Sequence, residues 1–388
     1  MSSNKSFCLR LVQGIHLKLL EFPCAYNILS DELYDLSFEA FNFLSRCDGS
    51  RTLAELDPEV DFLADCLKEG VLELLKKPGW REIKVEQNES PSLRYLMVEV
   101  TDRCNLSCRH CYLGDAGTND LEWDTLRQVL DDFDDMGGLR LMITGGEPLL
   151  YPHFELLNGR LEDRSYRPVL ITNGTRLLND VDFRKLNFRE IQFSLDGMEK
   201  GHDYLRGKGT FRRVMQAIVM TQSADIDVSV ATVIHAQNLG ELVELGELLS
   251  KLEVSSWTLE FPVESGRMKE NDGLMPDPEK AAPLFDMEWG WGAHEAAEGY
   301  ACGAHLACVE PGGRLIKCGY YRETNGGHVG EGLREAWLLL PKMKLEGTCA
   351  ECDVLANCGG GCRFRAELMT VTGGPDPVMC ARMGKSWQ

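Results

Sequence analysis

The sequence predicts an α/β protein: a partial (β/α)6 barrel between a small winged-helix-like α+β domain and a cysteine-rich C-terminal domain. Three observations predict it. From Leu93 to about Phe261, apolar strand-like runs alternate with amphipathic helical runs, an order that implies parallel strands joined by helical crossovers. Three cysteines follow the first of those strands directly, where parallel α/β folds place their active sites. From Ala293 onward the pattern gives way to glycine and cysteine, so something other than an apolar core has to order that region.

Residues 1–85 alternate short β-like runs (HLKLLEF, AYNIL, LYDL) with two helical stretches, FEAFNFLSRC and PEVDFLADCLKEG, separated at Asp48-Gly49 and stopped by Gly70. The polar stretch GWREIKVEQNESPS ends around Pro91 and predicts a linker over residues 86–92. In residues 93–292 the runs YLMVEV, LRLMI, PVLIT, IQFSL, VSVATVI and WTLEF give six strands, fewer than a closed barrel needs. Residues 293–388 hold one hairpin, LACVEPGGRLIKC, and most of the later cysteines.

With 388 residues, 44% hydrophobic and 26% charged, the chain has the composition of a globular protein of two or three domains. It lacks the roughly 18-residue apolar run of a membrane span, and MSSNKSFCLRLVQG does not read as an export signal. A cytoplasmic enzyme with no membrane partner is expected. The net charge of −20 and pI near 4.9 oppose a nucleic-acid partner. Fifteen cysteines in a reducing compartment point to metal ligation or catalysis rather than disulfides.

The run VEVTDRCNLSCRHCY spaces Cys104, Cys108 and Cys111 by three and two residues. Three thiolates on a short loop can grip three irons of a cubane cluster and leave the fourth open, whereas structural zinc takes four protein ligands and only His110 lies near. The spacing resembles the radical S-adenosylmethionine (SAM) superfamily. That resemblance implies a radical SAM barrel in which SAM chelates the open iron and yields a 5′-deoxyadenosyl radical that abstracts a substrate hydrogen. It places His110 against the adenine, with Tyr112 just beyond. In ITGGEPLL, Gly145, Gly146 and Glu147 resemble the segment that receives the SAM amino group; glycines allow close backbone approach, and a carboxylate suits an ammonium. ITNGT and FSLDG follow the next two strands, and Ser194 and Asp196 take positions that lie near the SAM ribose in relatives. Arg206, in HDYLRG, is either a bidentate partner of the SAM carboxylate or a surface arginine.

Later cysteines run Cys302-x10-Gly313-x4-Cys318, then Cys349-x2-Cys352-x5-Cys358-x3-Cys362, then Cys380. This order resembles the SPASM extension, with two zinc knuckles as the alternative. The resemblance implies two auxiliary [4Fe-4S] clusters, three clusters in all: one on Cys302, Cys318 and Cys362, the other on Cys349, Cys352, Cys358 and Cys380. The first auxiliary cluster's fourth ligand is left open between Cys308, another upstream cysteine and the substrate. Cys8, Cys24, Cys47 and Cys66 fit no cluster and read as ordinary buried cysteines.

The features PCAYNILSDELYDLS, CDGSRTLAEL and FLADCLKEGVLEL resemble a PqqD-like recognition element of ribosomally made, post-translationally modified peptides (RiPPs). Such a module captures the precursor's leader as an added strand. With ten Lys or Arg against fourteen Asp or Glu in residues 1–85, its charge is wrong for a phosphate-binding face. The combined expectation is a peptide maturase that forms a C–S or C–C crosslink, supplied by a low-potential donor such as flavodoxin or ferredoxin. Rival readings are sulfatase maturation, disfavoured because Gly319 stands where that group carries an Asp; a small-molecule or tetrapyrrole enzyme with residues 1–85 as a lid; and a zinc-scaffolded peptide chaperone. Trp289 and Trp291 either line a substrate channel or pack beneath loops.

Overall fold

The computed structural model describes residues 7–290, 300, 303–371 and 373–387, so Trp291 and Cys302 lie outside the described residues. The chain divides into two compact units: Met1–Arg94 with Phe133–Leu139 and Asp163–Arg167, and the remainder.

The first unit contains two small sheets. β1 (Cys8–Leu11) lies between β5 (Asp48–Thr52) and β6 (Leu72–Leu75), antiparallel to both. The second runs β4 (Glu32–Asp35), β3 (Pro23–Asn27), β2 (Ile15–Leu19), β7 (Val85–Gln87), with β7 parallel to β2. Leu9, Leu11, Leu17, Leu44, Cys47, Leu56, Cys66 and Leu72 share one core. Both expected helices form, as Phe38–Leu44, capped by the Ser37 side chain, and Val60–Lys68.

Two expectations are corrected. Asp48-Gly49 does not merely separate helices: it opens β5, and the backbone of residues 79–81 bonds to it, Gly79 N–H to Gly49 O at 2.9 Å and Arg81 N–H to Asp48 O at 2.8 Å. The stretch at 86–92 is not a free linker either. Part of it is β7, and the buried Asn88 side chain both donates to and accepts from the Leu93 backbone. Polarity suggested a linker because this strand buries polar groups: Glu86 lies 4.0 Å from Lys18, whose ammonium, inaccessible to water, donates to Gly138 O and Ser165 Oγ.

The second unit is built on an eight-stranded sheet ordered β13-β12-β11-β10-β9-β8-β14-β15. Its first six strands in sequence, β8 (Tyr95–Thr101), β9 (Arg140–Gly145), β10 (Arg167–Thr172), β11 (Glu190–Ser194), β12 (Asp227–Val233) and β13 (Ser256–Glu260), match the six expected runs. They lie in sequence order, and the pairs β8–β9, β10–β11, β11–β12 and β12–β13 are parallel. Helices Trp123–Asp135, Phe154–Arg160, Thr210–Gln222 and Leu242–Lys251 fall in the connections.

At the start of the strands Arg140 donates to both Glu190 oxygens, at 2.9 and 2.8 Å, and Ser229 Oγ adds a bond to Glu190 at 2.6 Å, all buried. The opposite, C-terminal rim is left for chemistry. The expected hairpin forms as β14 (Leu306–Val309) and β15 (Leu315–Ile316), and β14 extends the sheet by pairing parallel with β8. Among the described residues no helix is long and apolar enough to cross a membrane.

Candidate active site

The loop after β8 carries Cys104, Cys108 and Cys111 and is clamped from four directions. The β9 loop bonds it through Gly146 N–H to Thr101 O and Glu147 N–H to Arg103 O, both 2.8 Å. A Cβ on Gly145 would stand 2.2 Å from Thr101 O, and one on Gly146 2.3 Å from Arg103 O. These glycines therefore let two loops touch, a requirement independent of any ligand. From the β10 loop, Asn173 Nδ2 donates to Asn105 Oδ1 at 3.1 Å, while Asn105 Nδ2 donates to Thr175 Oγ1 at 2.9 Å. Arg109 N–H bonds Leu205 O. Beyond β13, Arg267 donates to Cys111 O through its N–H and to Cys108 O through Nη1, and Asn271 Nδ2 reaches Arg109 O. Arg267 and Asn271 escaped the sequence reading because lone polar residues in loops carry no periodic signal; Asn105 and Asn173 lie inside the quoted runs VEVTDRCNLSCRHCY and ITNGT, which gave neither a role.

Burial pushes the Cys104 thiol up to about 11, and the charges of Cys108 and Cys111 act on it. Cys108 is raised for the same first reason, with Arg206 pulling the other way. The three thiols thus share one electrostatic neighbourhood. Among the described residues no three His, Cys, Asp or Glu side chains converge on a single-ion centre. Thiolates on separate irons of a cubane need no such convergence.

Glu147 is fully buried, and its carboxylate is engaged internally. It accepts from Thr172 Oγ1 at 2.8 and 3.0 Å, Asn173 N–H at 3.0 Å and Leu149 N–H at 3.2 Å. Burial nevertheless pushes its carboxyl above the usual range. The residue expected to meet an ammonium therefore ties the ends of β9 and β10 together.

Asp196 follows β11 and is also inaccessible, accepting from Val233 N–H at 2.8 Å and pairing with Arg206 Nε. Burial alone would raise its carboxyl, but the Arg206 guanidinium outweighs this and holds it far below the carboxylate range. Arg206 is thus no surface arginine. Its Nη2 lies 3.4 Å from His110 Nε2. Burial, then Arg206, holds His110 down to about 3, a neutral imidazole whose buried Nδ1 has no partner. His202, with Nδ1 accepting Asp196 N–H at 3.1 Å, and His235 also have their buried Nε2 atoms unpartnered. Ser194 is half-buried at the end of β11. The chemistry of this cluster, an anchored arginine beside an unsatisfied imidazole nitrogen, fits an amino-acid-bearing nucleoside such as SAM.

Tyr112 turns toward the C-terminal segment. Its hydroxyl donates to buried Glu99 at 3.2 Å, and its ring centroid lies 5.3 Å from that of Tyr320. Tyr320 stacks on Phe364 at 5.7 Å. Cys318 and Cys362 lie in mutual electrostatic reach, as do Cys349, Cys352, Cys358 and Cys380. Cys308 is fully buried in β14, between β8 and β15, and feels the charge of Cys318. The run Gly359-Gly360-Gly361 between Cys358 and Cys362 has φ of 58°, 80° and 64°, a left-handed path that other residues take only under strain. Trp289 packs edge-on against Trp257 with its Nε1 on Val254 O, so it belongs to the packing beneath the loops.

A partial α/β barrel with a three-cysteine loop, an arginine–aspartate pair and an imidazole at its C-terminal rim brings together groups able to hold a nucleoside beside an iron–sulfur cluster. Residues 98–249 match the model of the radical SAM superfamily, a family whose members bind SAM and a [4Fe-4S] cluster. Among curated relatives, the AdoMet-dependent heme synthase of Methanosarcina barkeri is 26% identical over 71% of this chain and 93% of its own length. The antilisterial bacteriocin subtilosin biosynthesis protein AlbA of Bacillus subtilis is 26% identical over 68% of this chain and 64% of its own. Among solved structures, Streptococcus suis SuiB bound to its precursor peptide SuiA matches in fold with a TM-score of 0.69 at 16% identity, covering 96% of this chain and 99% of that one.

Proposed function

We propose that this enzyme modifies a ribosomally made precursor peptide, with residues 1–85 as the PqqD-like recognition element, 93–292 as the radical SAM barrel and 293–388 as the SPASM domain. The observation that carries the reading is the reach of the likeness to SuiB. In fold it extends over 96% of the chain, while by sequence the peptide maturase AlbA and the heme synthase match similar shares, 68% and 71%. Gly319 offers no carboxylate beside Cys318, which counts against sulfatase maturation.

The residues suit the groups this reading requires. Cys104, Cys108 and Cys111 would hold the first cluster; His110, Gly145, Gly146, Ser194, Asp196 and Arg206 would surround SAM, with Glu147 tying β9 to β10 behind them and Tyr112 backing the loop. Cys318 and Cys362 would hold one auxiliary cluster together with Cys302, and Cys349, Cys352, Cys358 and Cys380 the other. When bound to the reduced cluster, SAM supplies one-electron hydrogen abstraction. The chain's own part is to orient and to exclude water. Arg206, fixed by Asp196, offers its remaining N–H groups to a carboxylate in one direction, and His110 stays neutral, so no second positive charge competes there.

The leader would add to β4. In its ladder with β3, Leu36 N–H bonds Pro23 O, so by antiparallel alternation Leu33 and Asp35 turn their backbone groups outward. Beside this edge, Tyr34 packs on the same core as Phe62 and Leu63 of helix Val60–Lys68. An edge strand next to a helix is a docking surface for an extended peptide. A low-potential flavodoxin or ferredoxin would supply the electron, a cytoplasmic setting fits, and a C–S or C–C crosslink is the product class.

The test is reconstituted enzyme with SAM, dithionite and the peptide encoded beside its gene. Release of 5′-deoxyadenosine that rises with peptide, together with a peptide mass shift, supports the reading. Release indifferent to peptide but raised by a porphyrin would replace it with the tetrapyrrole reading that the heme synthase suggests.

A further inference from the structure

The last barrel strand ends in a carboxylate with no role so far. In β13, Trp257 and Leu259 are buried, and Trp257 faces Trp289 on the outer, helix-covered side. By strand alternation Ser256, Thr258 and Glu260 share the opposite face. That face is the barrel interior: Ser256 pairs in register with Ser229, which donates to Glu190 in the buried polar group at the base. Glu260 is the strand's final residue and so points inward at the C-terminal rim. Its register partner is Val233, whose N–H holds Asp196. Glu260 therefore stands at the barrel mouth beside the Asp196–Arg206 pair.

Three other carboxylates near this rim are engaged. Glu147 holds Thr172 and Asn173, Asp196 holds Arg206, and Glu99 holds Arg322 at 2.5 Å and Tyr112. Two cations lie in electrostatic reach of Glu260, Arg206 and Arg365, and each is bound to another carboxylate; the Tyr320 hydroxyl is its hydrogen-bonding neighbour. Yet Glu260 stays open to solvent, although protein crowds its carboxyl and desolvation raises its pKa above the ordinary range. A negative charge in a confined, partly dry mouth attracts donors and repels anions more strongly than one on an open surface.

We propose that Glu260 is the substrate-positioning carboxylate of the barrel mouth, receiving a hydrogen-bond donor of the bound peptide, a protonated amine or guanidinium ahead of a neutral amide, and turning anionic groups away. This rests on the peptide reading and deepens it. It also supplies a physical ground for discrimination, because a porphyrin rimmed with carboxylates would meet repulsion where a basic or amide-rich peptide meets attraction.

The test uses full-length holoenzyme and three probes: a Gly/Ser octapeptide with one central lysine, its twin with a central glutamate, and coproporphyrin III. Two readouts are followed, the concentration giving half-maximal change in 5′-deoxyadenosine release and that giving half-maximal change in the EPR spectrum of the SAM-bound cluster. Wild type should respond to the lysine peptide at roughly tenfold lower concentration than to the glutamate peptide, the scale of one charge-assisted contact. Glu260→Gln should remove most of that preference, Glu260→Arg should reverse it, and Glu260→Asp should keep it, with iron content unchanged throughout and half-saturation by SAM unchanged in Glu260→Asp. A lysine preference that survives in Glu260→Arg overturns the role of Glu260 and leaves the peptide reading standing. A response to coproporphyrin alone overturns both, and silence toward both octapeptides at millimolar concentration overturns the role of Glu260.

Discussion

Asp376 accepts the backbone N–H of Cys362 at 2.7 Å through the same carboxylate oxygen that takes Arg365 Nη2 at 2.6 Å. Its other oxygen takes Arg365 Nε at 2.8 Å and Val378 N–H at 3.1 Å, capping helix Pro377–Arg382 on which Cys380 rides. One buried carboxylate thus links a cysteine of each proposed auxiliary set. Asp376→Ala should strand a buried guanidinium at a cost of about 3–5 kcal/mol and lower the iron and sulfide bound outside the first cluster. Retained auxiliary iron in a folded variant would argue against the linking role.

Glu147→Ala leaves the Thr172 hydroxyl and Asn173 N–H buried without their acceptor, a loss of about 1–3 kcal/mol for each stranded group. Urea unfolding should show it, and SAM affinity should fall with it as the β9 and β10 loops loosen. A variant as stable as wild type would mean that another acceptor replaces the carboxylate.

Arg206→Lys keeps a positive charge beside Asp196 but removes the planar fork. SAM affinity measured by equilibrium dialysis should drop by roughly tenfold, about the worth of one charge-assisted hydrogen bond, with iron content unchanged. Unaltered SAM affinity would place the SAM carboxylate elsewhere.

Asp35→Pro removes one outward N–H from the β4 edge, a change that edge strands tolerate. Thermal stability should hardly move, while leader-peptide affinity by fluorescence anisotropy falls about tenfold, the cost of one lost main-chain bond. Unchanged affinity would direct attention to another edge.

Stability should fall on acidification through His202, whose pKa is held at about 4 mainly by burial, with Asp196 opposing. The unfolded imidazole titrates near 6.5, so as pH drops the unfolded chain takes up the proton first. The contribution is complete above 6.5 and is lost toward pH 4, at up to about 1.4 kcal/mol per pH unit. Urea unfolding across that window should lose up to one proton's slope in His202→Gln.

Much of the barrel was legible because its periodicity is redundant: each of six strands repeats an apolar run, and each crossover a helical stripe, so a single misread residue changes nothing. The short strands β1, β5, β6 and β7 were not read as strands. Each spans five residues or fewer, and β5 and β7 are polar enough to pass for turn and linker. Gly145 and Gly146 were legible as glycines that something must approach; that the something is the Cys104–Cys111 loop itself could be seen only once β8 and β9 lay side by side.

By itself the sequence determined what depends on spacing along the chain: the order of strands and helices, the three-cysteine loop after β8, the grouping of the later cysteines and the acidic balance. The tertiary structure decided what depends on residues far apart meeting. It brought Arg267 and Asn271 onto the loop of Cys108 and Cys111, set Asp376 between Cys362 and Cys380, turned Glu147 from solvent to Thr172, and left Glu260 facing the mouth. Hydrogen bonds and ion pairs act over a few ångströms, and which groups come that close is settled by packing rather than by position in sequence.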